Sequence, residues 1–261
     1  MNKPIGVFDS GVGGLTVLES IKKQLPNENI IYIGDNAHCP YGDKTKEQLL
    51  SYTKKICQYF ISRDVKMIVL ACNTTSANVL SELQILFPQV PIVGVIHSTV
   101  HDVLNREAHS VLVIATHATI TSHKYKDTIT QYDHTIKTYE LETPLLVPLI
   151  ESGQYKEGIQ DVLSKYLKPY QDKVDTLILG CTHYPIVLDQ IQEVFHDKIY
   201  VSSSAAICHE VDSYLKVHNM YRTHKKKPFI EIYTTGNVEE FVYSSNGFFD
   251  YDHLQVHELN L

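Results

Sequence analysis

The 261-residue sequence contains no apolar run of 18 residues, and its first residues enter an apolar segment without the leader of a secreted protein. A helix needs about 20 apolar residues to cross a bilayer, so we expect no membrane association and a cytoplasmic location. Basic residues are also few, 23 against 30 acidic ones, for a formal charge of −7. Nucleic acid is therefore not an expected partner. We expect the one basic run, residues 225–227, to form a solvated loop.

Cysteine is scarce as well. The five cysteines are odd in number and form no C-x-x-C pair; they are Cys39, Cys57, Cys72, Cys181 and Cys208. This pattern argues against a disulfide framework and against a four-cysteine zinc site. We expect reduced thiols in a reducing compartment.

Short apolar segments alternate with helical patterns along most of the chain. The segments predicted as strands are residues 5–8, 29–33, 65–71, 92–95, 111–115, 136–139, 174–180, 199–201, 229–233 and 254–259. Strands that alternate with helices indicate parallel α/β construction. Thr45 and Gln48 have the spacing of a capping box, which predicts that a helix begins there.

The pattern of the first half of the chain returns in the second half after about a hundred residues. We therefore predict an α/β fold of two pseudo-symmetric parallel-sheet lobes, with the active site in the cleft between them. Residues 1–96 plus 206–261 are predicted to form the first lobe, and residues 97–205 the second. Ligands of open α/β sheets bind beyond the carboxyl ends of the strands, so the loops at those ends are candidate site segments.

Two of these loops carry a cysteine. Cys72-Asn73-Thr74 follows the apolar segment 65–71, and Cys181-Thr182-His183 follows the segment 174–180. A thiol at the end of a strand and the start of a helix is a reactive position, because the helix amino terminus favours the thiolate. Two such thiols suggest chemistry with two matched acid/base groups.

Other interpretations of these cysteines stay open on the residues alone. They could be buried core residues, or one could be a nucleophile with His183 as its base, although the small neighbours of a nucleophile elbow are missing. Metal ligation by Cys72, Cys181 and His183 does not have the spacing of a structural zinc site. The Asp9–Gly14 loop is either a tight strand-to-helix turn or a means of aiming Asp9 into the cleft. Glu151 alone is most simply a helix-end carboxylate.

The motifs Asp9-Ser-Gly-Val-Gly-Gly14, Pro40-Tyr-Gly42, Ala71-Cys-Asn-Thr74 and Gly180-Cys-Thr-His-Tyr-Pro185 together resemble the cofactor-independent aspartate/glutamate racemase superfamily, and within it the glutamate racemases. The resemblance runs nearly end to end. It implies interconversion of L- and D-glutamate, which supplies D-glutamate for peptidoglycan. It also implies no cofactor and no metal, and a homodimer.

The resemblance also implies roles for individual residues. Cys72 and Cys181 would be the catalytic pair, Asp9 would assist Cys72, and His183, with Glu151 nearby, would assist Cys181. The implied substrate contacts are Asp9, Ser10, Tyr41, Gly42, Asn73, Thr74, Thr116, Thr119, Thr182 and His183. Two competing functions remain: a related enzyme acting on aspartate, hydantoins or arylmalonates, and a non-catalytic binding protein on this fold.

Overall fold

The computed structural model describes residues 2–153, 158–224 and 226–261, and in these it shows ten strands within three residues of the predicted positions. The strands are β1 (Ile5–Asp9), β2 (Ile30–Gly34), β3 (Met67–Leu70), β4 (Ile92–Gly94), β5 (Ser110–Ala115), β6 (Lys137–Glu142), β7 (Thr176–Gly180), β8 (Ile199–Ser202), β9 (Ile230–Thr234) and β10 (Val256–Glu258). All neighbouring strands pair in parallel.

The α-helices of the described residues are α1 (Leu15–Gln24), α2 (Lys46–Ser62), α3 (Asn73–Asn78), α4 (Leu80–Leu86), α5 (Val95–Asn105), α6 (His117–Thr121), α7 (Lys124–Tyr132), α8 (Leu146–Glu151), α9 (Ile159–Leu167), α10 (Leu188–Val194), α11 (Ser203–Val217) and α12 (Val238–Ser245). The predicted capping box begins α2. Thr45 Oγ1 accepts a hydrogen bond from Gln48 N at 3.3 Å, and Gln48 Oε1 accepts one from Thr45 N at 3.0 Å. Two backbone donors at the helix start are satisfied in this way.

The strands form two sheets with a shared order. The larger sheet has the order β10-β9-β2-β1-β3-β4, and the smaller one has the order β6-β5-β7-β8. In the smaller sheet, β6, β5, β7 and β8 stand where β2, β1, β3 and β4 stand in the larger one. The predicted fold of two pseudo-symmetric parallel-sheet lobes is confirmed.

Apolar side chains cover both faces of each sheet. In β1, Ile5 and Val7 pack in the layer that contains α1 and α11, whereas Phe8 points into the layer that contains α2. In the smaller sheet, α8 to α10 cover one face, and α5 and α7 cover the other. Strands buried on both faces explain the continuous apolar segments of the sequence. They also hold the loops at the strand ends on a rigid base.

Two helices carry the chain between the sheets. Helix α5 leads from β4 of the larger sheet to β5 of the smaller one, and α11 leads from β8 back towards β9. The predicted lobe limits near residues 96 and 206 fall inside these helices, and they stay a prediction. Of the predicted solvated loop, Lys225 lies outside the described residues, while Lys226 and Lys227 are exposed.

A buried ion pair supports the larger sheet. Lys66 Nζ lies 2.5 Å from Glu28 Oε2, both side chains are at most 3% exposed, and Lys66 also donates to the Met220 carbonyl. We expect Lys66→Met to lower the free energy of unfolding by about 3–5 kcal/mol, because Glu28 would stay buried without its cation. Urea denaturation measures the change. The control is Lys3→Met, whose exposed pair with Asp64 is worth about 1 kcal/mol or less. Equal losses in the two variants would contradict the prediction.

Candidate active site

The loops that follow β1, β3, β5 and β7 meet in one cleft. Strands β1 and β3 are neighbours in the larger sheet, β5 and β7 in the smaller one, and the carboxyl ends of each pair lie side by side. The cleft is lined by Ser10, Cys39, Pro40, Tyr41, Gly42, Cys72, Asn73, Thr74, Thr116, Val147, Cys181, Thr182 and His183. The space open to the centre of a water-sized molecule is about 20 Å³, room for about one water. The cleft is closed in this structure, and its volume is too small to hold an amino acid.

Cys72 lies on the first-lobe side of the cleft, directly before α3. Its side chain is 4% exposed, and its Sγ lies 3.7 Å from Ser10 Oγ. Burial and the Asp9 carboxylate raise the pKa of Cys72 to about 11, although the nearby polar groups of Thr75 and Ser10 oppose the rise. The sequence predicted that the helix amino terminus would favour the thiolate. Helix α3 has only six residues, and burial and like charge outweigh it.

Cys181 has a different environment on the opposite side. Its Sγ lies 3.6 Å from His183 Nδ1, and His183 Nε2 lies 2.8 Å from Glu151 Oε1. Burial disfavours the charged imidazole, but the contacts with Cys181 and Glu151 outweigh burial and raise the pKa of His183 well above its ordinary value. Burial likewise raises the pKa of Glu151, but the His183 contact outweighs it and the net pKa is lowered. Cys181, His183 and Glu151 therefore form a chain of contacts from the Cys181 sulfur to the Glu151 carboxylate.

The helix predicted directly after Cys181 is absent. A short 3₁₀ turn, Tyr184–Val187, follows instead, and the α-helix α10 begins only at Leu188. A 3₁₀ turn this short carries little helix dipole. The imidazolium of His183 therefore provides the positive charge beside this sulfur.

Asp9 lies behind the wall of the cleft. It is fully buried, its Oδ2 accepts from Gly11 N at 3.2 Å and Gly14 N at 2.9 Å, and its Oδ1 accepts from Thr182 Oγ1 at 3.3 Å. Burial raises its pKa, against the charge of His183. Asp9 is not among the residues that line the cleft. Its predicted roles as a catalytic group and a substrate contact stay predictions.

The glycine loop allows the two lobes to approach closely. A Cβ at Gly13 would lie 2.5 Å from His183 Nδ1 and 2.6 Å from Thr182 Oγ1. No side chain fits at that distance, so glycine is required there by the approach of the second lobe. The loop is thus a tight strand-to-helix turn, which was one of its two interpretations. The other, that it aims Asp9 into the cleft, stays a prediction.

The hydroxyl groups predicted to contact substrate form a cluster across the cleft. Thr74 Oγ1 lies 2.9 Å from Thr116 Oγ1 and 3.3 Å from Thr119 Oγ1, and Thr116 and Thr119 are 3.1 Å apart. Thr119 is buried behind Thr116 and is not itself a lining residue. The cluster joins α3 of the first lobe to the start of α6 in the second.

Tyr41 and Gly42 form a 3₁₀ turn on the cleft wall. The Tyr41 hydroxyl donates to Asp35 Oδ2 at 2.5 Å, which holds the turn in place from behind. A Cβ at Gly42 would lie 2.9 Å from Thr116 Cβ, so this turn also touches the second lobe. Tyr41 and Gly42 both line the cleft, while the tyrosine hydroxyl is engaged with Asp35.

Sequence reasoning missed Cys39 as a residue of the site. Cys39 Sγ donates to Glu151 Oε1 at 3.4 Å, and burial and the Glu151 carboxylate raise its pKa, which keeps it a thiol. Val147 of α8 was missed too and lines the same wall. The one signal in the sequence was the position of Cys39 beside the Pro40-Tyr41-Gly42 motif.

The structure also bears on the alternative interpretations of the cysteines. All four cysteines Cys57, Cys72, Cys181 and Cys208 pack in apolar clusters, but of these four Cys72 and Cys181 alone line the cleft. Across residues 2–153, 158–224 and 226–261, no three His, Cys, Asp or Glu side chains are grouped as metal ligands. The helices of those same residues include none long and apolar enough to cross a membrane.

This two-lobed chain matches a known protein family. The family described as Asp/Glu/Hydantoin racemase matches residues 5–210. The chain belongs to this family. The assignment confirms the predicted resemblance, and with it the prediction of an isomerase of the amino-acid racemase class.

Relatives of this Asp/Glu/Hydantoin racemase family member match over its full length. A glutamate racemase of Lysinibacillus sphaericus is 38% identical over 265 residues, covering 100% of both chains. The structure of a glutamate racemase isoform from Bacillus anthracis has a TM-score of 0.92 at 31% identity, covering 99% of this chain and 98% of that one. A Francisella tularensis glutamate racemase, solved with D-glutamate, has a TM-score of 0.92 at 34% identity and the same coverage.

Proposed function

We propose that this chain is a glutamate racemase that interconverts L- and D-glutamate by proton transfer between two cysteines and Cα. The observation that carries the proposal is the placement of Cys72 and Cys181. They follow strands of different sheets and line the same closed cleft. Full-length relatives named as glutamate racemases, one of them solved with D-glutamate, support glutamate as the substrate.

In this mechanism each thiol serves one face of the α-carbon. One cysteine, as thiolate, takes the α-proton: the Cα–H bond breaks and an S–H bond forms. The other cysteine, as thiol, gives its proton to the opposite face, so its S–H bond breaks and a new Cα–H bond forms. No electrons are gained or lost, and the two sulfurs have exchanged roles. Two groups of the same type suit a reaction that runs in both directions.

The carbanion-like state between the two transfers needs donors placed in advance. The backbone N–H groups of Asn73 and Thr74 lie at the start of α3, where helix amides have no partner within the helix. Directed at the α-carboxylate, they would stabilise the developing negative charge. The closed cleft excludes water and strengthens these interactions.

The remaining cleft residues have proposed roles in holding the substrate. Ser10 and the backbone of the Tyr41-Gly42 turn would bind the side-chain carboxylate, and the threonine cluster with Thr182 would bind from the second lobe. Asp9 would act on the ammonium group through its charge. We also propose that the D-glutamate supplies peptidoglycan synthesis; a cytoplasmic location and a homodimer remain predictions.

Circular dichroism of the purified protein with L-glutamate, and separately with D-glutamate, tests the function without added cofactor. The proposal expects each enantiomer to decay to the racemate. L-aspartate under the same conditions separates this function from a racemase for aspartate. Faster turnover of aspartate would overturn the substrate assignment, and glutamate binding without turnover would overturn the catalytic one.

Thiol alkylation should follow the raised pKa of Cys72. Iodoacetamide reacts with the thiolate, and below a pKa of about 11 the thiolate fraction rises about tenfold per pH unit. We therefore expect labelling of Cys72, read by peptide mass spectrometry, to accelerate steeply between pH 7 and 9. Glutamate should protect it. Cys57, fully buried in α2, is the internal control and should stay unlabelled. A flat pH dependence or labelling unaffected by glutamate would contradict the assignment.

A further inference from the structure

One buried side chain touches the backbone segments beside both cysteines. Tyr125 of α7 is 1% exposed, and its hydroxyl donates to Asn73 Oδ1 at 2.6 Å. Asn73 directly follows Cys72. A Cβ at Gly180 would lie 3.3 Å from Tyr125 Cε2, so the ring packs on the residue directly before Cys181. Tyr125 therefore spans from the end of β7 to the start of α3.

The side-chain amide of Asn73 makes hydrogen bonds through both its oxygen and its nitrogen. Asn73 Nδ2 donates to Ser203 Oγ at 3.2 Å, at the start of α11. The Asn73 side chain therefore bonds to the second lobe and to the helix that returns to the first. Burial raises the pKa of Tyr125, which keeps its hydroxyl a donor. For the predicted substrate contact, Asn73 keeps its second Nδ2 hydrogen and its backbone N–H.

We propose that Tyr125 is a positioning residue that sets the separation of the Cys72 and Cys181 thiols across the closed cleft. The inference rests on the proposed function, because two-face proton transfer needs both sulfurs at bonding distance from one carbon. A tyrosine ring has few rotamers, and here its ring and hydroxyl are both engaged, so it acts as a rigid spacer. A misplacement of about 1 Å can slow a positioned reaction about 100-fold.

Tyr125→Phe tests the hydroxyl contact while keeping the ring. We expect kcat for glutamate to fall about tenfold with KM changed less than about twofold, because the reacting groups rather than the binding groups are displaced. The labelling rate of Cys72 should also change, since α3 loses one of its links to the second lobe, the one at the residue directly after Cys72. The control is Tyr251→Phe, whose hydroxyl lies 2.5 Å from Ser245 Oγ in the first lobe, away from the cleft. It should lower stability to a similar extent and leave kcat and labelling unchanged.

Asn73→Ala breaks the same hydrogen bond from the other side. If the two residues act as a unit, the Tyr125→Phe/Asn73→Ala double variant should be no slower than Asn73→Ala alone. Unchanged kcat and Cys72 labelling in Tyr125→Phe, or additive effects in the double variant, would overturn the inference. Labelling needs no turnover, so a wild-type protein inactive on glutamate would refute the proposed function, while the labelling rate would still report whether Tyr125 positions Cys72.

Discussion

Cys72→Ala and Cys181→Ala are each expected to reduce racemisation of glutamate about 10³-fold or more, because each removes the only proposed base on one face of the α-carbon. The loss should appear in both directions, since inversion requires one group to remove the proton and the other to return it. Circular dichroism of each enantiomer gives the rate. Urea denaturation shows whether the variant is folded.

The corresponding serine variants make the test more specific. With one thiol left, the α-proton of one enantiomer is removed and returned on the same face. Cys72→Ser and Cys181→Ser should therefore exchange the α-hydrogen of opposite enantiomers in D₂O, as measured by proton NMR, without inverting either. Cys57→Ala, which removes a buried thiol outside the cleft, is the matched control and should keep full activity. Full racemisation in either alanine variant would refute the two-base mechanism.

The sheets could be predicted from the sequence because parallel strands buried on both faces are continuous apolar segments. Segment 5–8 and segment 174–180 are such runs, and each ends at the residue before a polar loop. The capping box at Thr45 was found for the same reason: its hydrogen bonds join residues three apart. These features depend on interactions between residues that are close in the chain, so a short sequence pattern is sufficient to predict them.

The contacts that cross the cleft could not be predicted, because they join residues far apart in the chain. Cys39 meets Glu151 and Tyr125 meets Asn73 only after the two sheets are folded and facing. The raised pKa of Cys72 also depends on the folded structure. A strand-to-helix position favours a thiolate on its own, but burial and the Asp9 carboxylate at the end of the neighbouring strand outweigh it.

Glu151 shows how a helix-end position and a proposed role in the site can belong to one residue. The residues alone predicted a helix-end carboxylate, and Glu151 is the last residue of α8. That position directs its side chain to His183 Nε2, 2.8 Å away. The role near the second cysteine came from the resemblance, since nothing in the local pattern indicates His183 as the partner.

His183→Ala is expected to slow racemisation by about 10²- to 10⁴-fold, because Cys181 loses the imidazole that lies 3.6 Å from its sulfur and would assist its proton transfer. The equilibrium constant between enantiomers is unity, so kcat/KM must fall equally in the two directions. The control is His117→Ala, which breaks an exposed pair, His117 Nδ1 to Glu142 Oε2 at 2.6 Å. That variant should keep full activity, since the pair lies outside the cleft lining.

Isotope effects then show which sulfur His183 serves. If His183 assists Cys181 alone, proton transfer at Cys181 becomes rate-limiting in the variant. The primary kinetic isotope effect measured with α-deuterated glutamate should then become larger in the direction in which Cys181 removes the proton. In the other direction it should become smaller, and a solvent isotope effect should appear instead. Equal growth in both directions would mean that His183 acts on both thiols or on the substrate itself. The separate environments seen for the two sulfurs, Ser10 beside Cys72 and His183 beside Cys181, favour the unequal result.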